Sequence, residues 1–173
     1  MKKVVSIIVT AMLVFVLSAN VWAVTDKMRE TANRATDCFD RQDYDCARKG
    51  YESLLKMKMG KEQTISVKKM LRSTYFDLVK KDAENERYPK SVETYCLKGI
   101  RMGDELKMDY DEEDVAFHVW LTLYYFENGK KAETKKYIGK LKTMRDSIKG
   151  GSAVDEAKRN WIGQVVSALE SRI

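Results

Sequence analysis

Three cysteines and one histidine are the side chains of this sequence best suited to covalent or metal chemistry. The cysteines are Cys38, Cys46 and Cys96, and their odd number leaves at least one thiol free, buried or paired with another molecule. His118 has no second metal ligand at a zinc-like spacing, so we predict no metal site. A catalytic triad would have to rest on this single histidine, which we instead interpret as a solvent-facing or hydrogen-bonded helix residue.

Carboxylates cluster in residues 109–114, and carboxylate oxygens are the ligands that Ca²⁺ prefers. A calcium-binding loop also needs a central glycine and a distant glutamate, and this run has neither. Negative charge stabilises the start of an α-helix, so we interpret the run as the cap and first turn of a helix. Gly150-Gly151 precedes Ser152 without the rest of a phosphate-binding motif. We therefore predict no catalytic residue, no cofactor and no enzymatic activity.

Basic residues dominate the stretch from Lys130 to Lys149, where only Glu133 and Asp146 oppose them. Such a stretch is able to face an acidic partner or a lipid surface, although a solvated helix face beside an apolar stripe explains it more simply. The net charge of +6 is too small to require a nucleic-acid partner, and we expect none. The basic residues are Lys130, Lys131, Lys135, Lys136, Lys140, Lys142, Arg145 and Lys149.

Helices must position these side chains, because the sequence has long segments rich in Lys, Glu, Ala, Leu and Met and no clean period-two alternation. We predict seven α-helices, with Asp111 capping the fifth and Ser152 with Asp155 capping the seventh. The fifth is apolar nearly all round, so it is either buried in a stack or a contact surface. Thr25 is predicted to cap the first helix, Gly60 to end the second and Pro89 to open the fourth. The helices cover about 26–41, 44–58, 62–83, 89–106, 112–127 and 130–147, and the seventh carries a stripe over 154–169.

The first 23 residues have the parts of a secretory signal peptide: Lys2 and Lys3, an apolar run over residues 4–19, and a small residue, Ala23, at the end. The run is shorter than the roughly 20 residues that span a bilayer comfortably, and an uncleaved membrane anchor is the alternative. We predict a signal peptide over residues 1–23 and a single helical domain over residues 24–173, periplasmic or secreted. We expect contact with a membrane only during export.

The second, fourth and sixth helices share a pattern, in which a small residue follows a turn and a large residue stands four positions later. The small residues are spaced by 44 and 43 positions, and a near-constant period indicates stacked supersecondary units. An unrelated helical bundle with similar apolar stripes is the alternative. The residue pairs are Ala47 with Tyr51, Ser91 with Tyr95, and Thr134 with Ile138.

The first of these units resembles a tetratricopeptide repeat, whose turn and second-helix pattern is matched by Asp43-Tyr44-x2-Ala47-x3-Tyr51. The period exceeds the usual 34 residues of that family, and Gln42 stands in place of the turn glycine. The resemblance spans most of residues 26–142 and implies an all-α fold: a short solenoid of about three antiparallel hairpins and a C-terminal capping helix. The third unit adds four residues in roughly the family's first-helix order, with the tryptophan displaced: Trp120, Leu121, Tyr125 and Gly129.

The resemblance also bears on the cysteines and on the binding surface. Some secreted cysteine-rich relatives of these repeats have a disulfide between the two helices of a hairpin, at the spacing of Cys38 and Cys46. The resemblance therefore implies a disulfide here, and two buried thiols are the alternative. Cys96 is expected in the core. First helices line the concave groove of such a solenoid, so their large apolar residues are the candidates for partner binding. These groove candidates are Phe39, Phe76, Trp120, Leu123 and Phe126.

From these features we expect an exported protein–protein interaction module that holds a peptide or protein segment in a helical-repeat groove. Its duty would be that of an adaptor, an assembly or secretion accessory, or an immunity-type binder. Two alternatives belong to other classes. One is a small envelope hydrolase whose carboxylates converge only in three dimensions, and the other is a structural subunit that forms homo-oligomers through the fifth helix.

Overall fold

The computed structural model describes residues 26–85, 88–108 and 111–173. Within these ranges the chain is all-helical, as predicted, with seven α-helices and no strand. The predicted signal peptide and the predicted cap at Thr25 lie outside the described residues, as do positions 109 and 110 of the acidic run. The helices are α1 (Asp26–Asp40), α2 (Tyr44–Leu54), α3 (Lys61–Ala83), α4 (Lys90–Leu106), α5 (Glu112–Glu127), α6 (Lys131–Ser147) and α7 (Ala153–Glu170).

The chain divides into two compact units, with the boundary inside α3 between Tyr75 and Phe76. The first unit contains α1, α2 and the beginning of α3. The second contains the end of α3 and the helices α4 to α7. In the first unit, the short connection makes α1 and α2 an antiparallel hairpin.

The α1–α2 hairpin turns through Gln42, whose φ of 61° is in the left-handed region. The Asp43 N–H donates to the Cys38 carbonyl at 2.9 Å, which is a bond typical of a helix closed by a left-handed residue. The Asp43 carboxylate then accepts from the Cys46 N–H at 3.1 Å and caps α2. The same short segment therefore ends one helix and begins the next.

A disulfide joins Cys38 to Cys46 across this turn, with the two Cα atoms 5.7 Å apart. The pairing implied by the tetratricopeptide resemblance is confirmed. Cys96 is the free cysteine of the described residues and is fully buried, so its predicted place in the core is confirmed as well.

Small residues let the two helices of the first hairpin approach closely. A Cβ on Gly50 of α2 would lie only 2.6 Å from the Cβ of Ala35 on α1. Tyr51 is fully buried, with its hydroxyl 3.4 Å from that of Thr36. The beginning of α3 is joined to this hairpin by Tyr75, whose hydroxyl donates to the α2 residue Glu52 at 2.7 Å.

Helix α5 is the centre of the second unit. Helices α4, α6 and α7 all contact it, and α6 also contacts α7. Ten of its sixteen residues are buried, and the Asp111 carboxylate caps it by accepting from the Asp114 N–H at 2.7 Å, as predicted. The core that α5 shares with α6 and α7 consists of Val115, Val119, Ile138, Leu141, Met144, Ile162, Val166 and Leu169.

The α5–α6 turn repeats the backbone of the α1–α2 turn. Gly129 has a φ of 67°, and the Lys130 N–H donates to the Tyr125 carbonyl at 2.9 Å. The φ and ψ angles of Lys130, −81° and 70°, are close to those of Asp43, −84° and 74°. The packing of adjacent helices is therefore compatible with a helical repeat.

The second helices of the hairpins also bury residues at matching positions, i, i+4 and i+7. The prediction for α4 is wrong by one residue, because Ser91 and Tyr95 are only half-buried. The more apolar neighbouring face of α4 turns inward instead. The buried series are Ala47, Tyr51 and Leu54 in α2, Val92, Cys96 and Gly99 in α4, and Thr134, Ile138 and Leu141 in α6.

Two predicted helix ends are also corrected. Helix α2 ends at Leu54 rather than near residue 58, because its buried stripe stops there and propensity alone does not sustain a short helix. Gly60 does not end α2. Its N–H donates to the Gln63 side chain at 3.0 Å, so it belongs to the start of α3. Pro89 occupies the N-cap of α4 rather than its first turn.

Removal of the disulfide should destabilise the first unit. The bond spans a sequence separation of 8, and in the loop-entropy account a link over a loop this short contributes about 2–3 kcal/mol. We expect the variant Cys38→Ala/Cys46→Ala to lose this much free energy of unfolding, measured by urea denaturation followed by circular dichroism. Reductant should weaken the wild-type protein similarly and leave the double variant unchanged. A double variant that still responds to reductant would contradict the assignment.

Gly99 should not tolerate a side chain, because a Cβ there would overlap the ring of the fully buried Phe117. Overpacking of this kind typically destabilises a protein by about 1–3 kcal/mol. Gly139 of α6 is the matched control, since a Cβ there meets nothing within 4 Å. We expect Gly99→Ala to lower the melting temperature and Gly139→Ala to raise stability by about 0.5–1 kcal/mol through helix propensity. Equal shifts for the two variants would show that α4 and α5 are not in this close contact.

Candidate partner-binding surface

Half-buried apolar side chains lie on α3, α5 and α7 of the second unit. On α5, Trp120, Leu123 and Phe126 follow at three-residue intervals and share one side of the helix. All three pack against the core between α5, α6 and α7 while part of each side chain stays exposed. We call the whole set the apolar strip: Phe76, Trp120, Leu123, Phe126, Trp161 and Val165.

Phe76 places the end of α3 against this strip. Its ring centroid is 5.1 Å from that of Trp120 and 6.1 Å from that of Phe117. Phe117 is fully buried, and its centroid is 6.4 Å from that of Trp120. The half-buried rings of Phe76 and Trp120 therefore both pack against a buried ring. Phe117 meets both rings edge to face, and such packing holds aromatic rings in a defined orientation, which is what an anchor for a partner requires.

Helix α7 contributes Trp161 and Val165, which stand one turn apart, are half-buried and pack against the same core. Neither is among the predicted groove residues, although their i, i+4 spacing predicts that both side chains lie on one apolar face of α7. The Arg172 guanidinium lies 4.8 Å from the ring centroid of Phe126. This cation–π contact places positive charge beside the Phe126 ring.

Phe39 is the fifth predicted groove residue and belongs to the first unit. It is half-buried and packs edge to face on Tyr44 across the hairpin turn, with ring centroids 5.6 Å apart. This contact makes Phe39 part of the support of that turn. The other four predicted groove residues all lie in the second unit, on the apolar strip.

A charged groove of about 700 Å³ lies along α1 and α2 in the first unit. Its lining includes Glu30, Asp43 and Asp45, but two of these carboxylates have structural partners. Asp43 caps α2, and Asp45 is 3.4 Å from the Arg48 guanidinium. Carboxylates held in this way are poorly placed to act as the acid and base of a hydrolase.

The cysteines are placed for structure rather than for reactivity. Ligand atoms of Cys38, Asp43 and Cys46 lie within 4.8 Å of one another. The two sulfurs are bonded to each other, however, and a metal binds the thiolate, which a disulfide lacks. Burial raises the pKa of the Cys96 thiol well above its ordinary value, so this side chain behaves as a small core residue.

His118 is a buried, hydrogen-bonded helix residue, which is one of the two interpretations that the sequence allows. Its ring nitrogen Nδ1 lies 2.9 Å from the Asp114 carbonyl oxygen. A carbonyl only accepts, so Nδ1 carries the proton and donates. The ring centroid is 6.2 Å from that of Tyr137 on α6, and the histidine therefore belongs to the α5–α6 interface.

A tyrosine cluster surrounds an ion pair between α4 and the α5–α6 turn. The Lys130 ammonium donates to the Glu93 carboxylate at 3.2 Å and lies 5.2 Å from the ring centroids of both Tyr124 and Tyr125. The sequence gives no signal for this cluster, because 37 positions separate the lysine from the glutamate and neither stands in a motif.

The cluster shifts the ionisation of its members. Burial opposes the charge on Glu93, but hydrogen bonds from Lys130, Tyr124 and Tyr125 outweigh it and lower the pKa of the carboxyl. Burial raises the pKa of Tyr125, and the Glu93 carboxylate raises it further, so the phenol keeps its proton and remains a donor. The arrangement ties three helices together and offers no group poised for proton transfer.

No protein-family model, curated protein or solved structure matches the chain. In residues 26–85, 88–108 and 111–173, no helix is both long enough and apolar enough to cross a membrane.

Glu93→Gln should lower stability in a pH-dependent way. Because its folded pKa lies below the ordinary 4.5, the ionised side chain stabilises the fold above that pH, and this contribution is lost as the pH falls through the folded pKa. We expect a loss of about 1–2 kcal/mol at pH 7 and a smaller loss in strong acid, measured by urea denaturation across this range. Glu127→Gln, at an exposed position of the same unit, should change stability by less than about 0.5 kcal/mol at either pH. A pH-independent loss for Glu93→Gln would contradict the stabilising role of the charge.

Proposed function

We propose that this chain is an exported protein–protein interaction module whose apolar strip holds a segment of a peptide or protein partner. The observation that carries the proposal is the packing of the half-buried rings of Phe76 and Trp120 on the buried ring of Phe117, with the half-buried Leu123 one turn from Trp120 on α5. Aromatic side chains fixed in this way bury a large area on binding and lose little conformational entropy. A partner segment with large apolar side chains fits such a surface.

The fold that we propose is a divergent tetratricopeptide-like helical repeat. Three features support it: the matching turns at Gln42 and Gly129, the matching buried positions in α2, α4 and α6, and the contact of α7 with both α5 and α6. In such repeats the first helices line the binding face. Helix α5 carries three residues of the strip and is the first helix of its hairpin.

Export is the second part of the proposal. It rests on the signal-peptide pattern of residues 1–23 and places the protein in the periplasm or outside the cell. The Cys38–Cys46 disulfide is compatible with an oxidising compartment. We infer binding rather than catalysis, because two of the three carboxylates that line the groove of the first unit, Asp43 and Asp45, cap a helix or pair with a base.

Leu123→Asp should abolish partner capture, because it places an unpaired charge in the middle of the strip, where binding would have to desolvate it. The test is crosslinking of the tagged full-length protein in its native cells, followed by mass spectrometry. We expect the recovery of the dominant partner to fall about tenfold or more. Leu97→Asp is the matched control, because Leu97 is an α4 residue outside the strip and is 40% exposed.

Far-ultraviolet circular dichroism checks that both variants remain helical. If the partner is captured equally by the wild-type protein and by Leu123→Asp, the strip is not the binding surface. A wild-type protein that crosslinks only to itself would favour the structural-subunit alternative.

A further inference from the structure

Helix α6 carries far more positive charge than its neighbours neutralise. The Lys130 ammonium pairs with Glu93, Lys142 lies 2.6 Å from Glu170, and Arg145 pairs with Asp146 on the same helix. Five other lysines of this segment are exposed, and none of them forms an ion pair with a described residue. One of the five, Lys140, is in cation–π contact with Tyr137, with its ammonium 4.8 Å from the ring centroid, which leaves four. We call these four the lysine face: Lys131, Lys135 and Lys136 on α6, and Lys149, which lies two residues beyond the end of the helix at Ser147.

The position of this charge is unfavourable for the helix itself. The N-terminus of a helix carries the positive end of its dipole, so cations near it are destabilising. Lys131 nevertheless occupies the first turn of α6, where Glu133 is the acidic residue, and Lys135 and Lys136 follow in the second turn. A lysine placed against local stability indicates a role outside the helix.

The lysine face is open, because small exposed residues lie between its lysines on α6. Ala132, Gly139 and Thr143 lie between its lysines on the exposed side of α6, and a Cβ on Gly139 would meet nothing within 4 Å. The large apolar residues of α6 all point inward, so no bulky group projects from this side. Long lysine stems can therefore bring their ammonium groups to a flat surface along a helix of roughly 25 Å.

The composition of the face separates two kinds of anionic partner. Protein interfaces are depleted in lysine and depend on anchors such as Trp, Tyr and Arg. The exposed side of α6 offers lysines, and it lacks an exposed aromatic residue. A layer of anionic headgroups needs no such anchor, because lipids move to match the charges and each lysine near the layer adds attraction.

We propose that the lysine face of α6 docks the protein on a membrane surface that contains anionic lipid. This role is additional to the proposed capture of a partner by the apolar strip and does not depend on it. The attraction is electrostatic and peripheral, since large apolar side chains of α6 are buried and cannot insert into the acyl chains.

The test is co-sedimentation of the full chain with vesicles of phosphatidylglycerol and phosphatidylcholine, compared with vesicles of phosphatidylcholine alone. The comparison cancels any hydrophobic partition of the apolar residues 4–19. We expect preferential binding to the anionic vesicles. Binding should weaken when salt rises from about 0.1 M to about 1 M, because the Debye length falls from about 10 Å to about 3 Å.

A quadruple variant tests whether the lysine face is the surface that binds anionic vesicles. The substitutions Lys131→Gln, Lys135→Gln, Lys136→Gln and Lys149→Gln keep helix propensity and should reduce the partition coefficient on anionic vesicles by roughly a hundredfold or more. The control variant removes the same charge from four exposed lysines of the first unit and should lose much less. Its positions are Lys56, Lys58, Lys61 and Lys69.

Each other outcome overturns the proposal. Equal losses in the two variants would show that net charge, rather than this face, governs binding. No preference of the wild-type protein for anionic vesicles would exclude docking on lipid. Stoichiometric binding of soluble polyglutamate by a protein that does not bind vesicles would assign the face to an acidic polypeptide instead, provided that the quadruple variant loses this binding.

A charge-conserving variant separates loss of charge from loss of fold. Lys→Arg substitutions at the same four positions keep the charge and should retain binding to anionic vesicles.

Discussion

Helix α5 has almost no polar face, and the second unit is arranged around that constraint. Its buried polar residues Asp114, His118 and Thr122 stand four positions apart. The His118 ring donates to the Asp114 carbonyl, and the Thr122 hydroxyl donates to the His118 carbonyl at 2.7 Å. A buried polar group must have a hydrogen-bond partner, and the side chains of His118 and Thr122 find theirs within the helix. The surrounding helices therefore need to supply little more than apolar surface.

The helices that pack around α5 cover its sides to different extents. Helix α4 comes close because Gly99 has no side chain to hold it away from Phe117. Helices α6 and α7 share a core with the opposite side of α5. The side that bears Trp120 and Leu123 is covered only in part. Apolar area left in water favours association by about 25 cal/mol per Å², so the incomplete cover of α5 itself gives the strip an affinity for a partner segment.

The features that could be predicted from the sequence depend on neighbours along the chain. The bounds of α5 and the caps at Asp111 and Ser152 follow from local charge and hydroxyl chemistry, and the structure confirms them. The end of α2 and the buried register of α4 were wrong, because each is decided by which face finds apolar neighbours in three dimensions. The pairing of Lys130 with Glu93 is wholly non-local. The strip was partly predictable: periodicity identifies Trp120 and its neighbours on α5, but the exposed fraction of each residue depends on tertiary packing.

The two hairpins with matching turns are held together by different means. The α5–α6 hairpin buries large side chains such as Val119 and Leu141 in a shared core and has a glycine at its left-handed position. The α1–α2 hairpin has Gln42 at that position, where a side chain is strained, and it packs through the close approach of Ala35 to Gly50 and through the buried Tyr51. A covalent link across such a turn limits the conformations of the unfolded chain and offsets the strain at the turn. The disulfide therefore stands at the hairpin whose left-handed position lacks a glycine, and an oxidising environment stabilises the first unit through this bond.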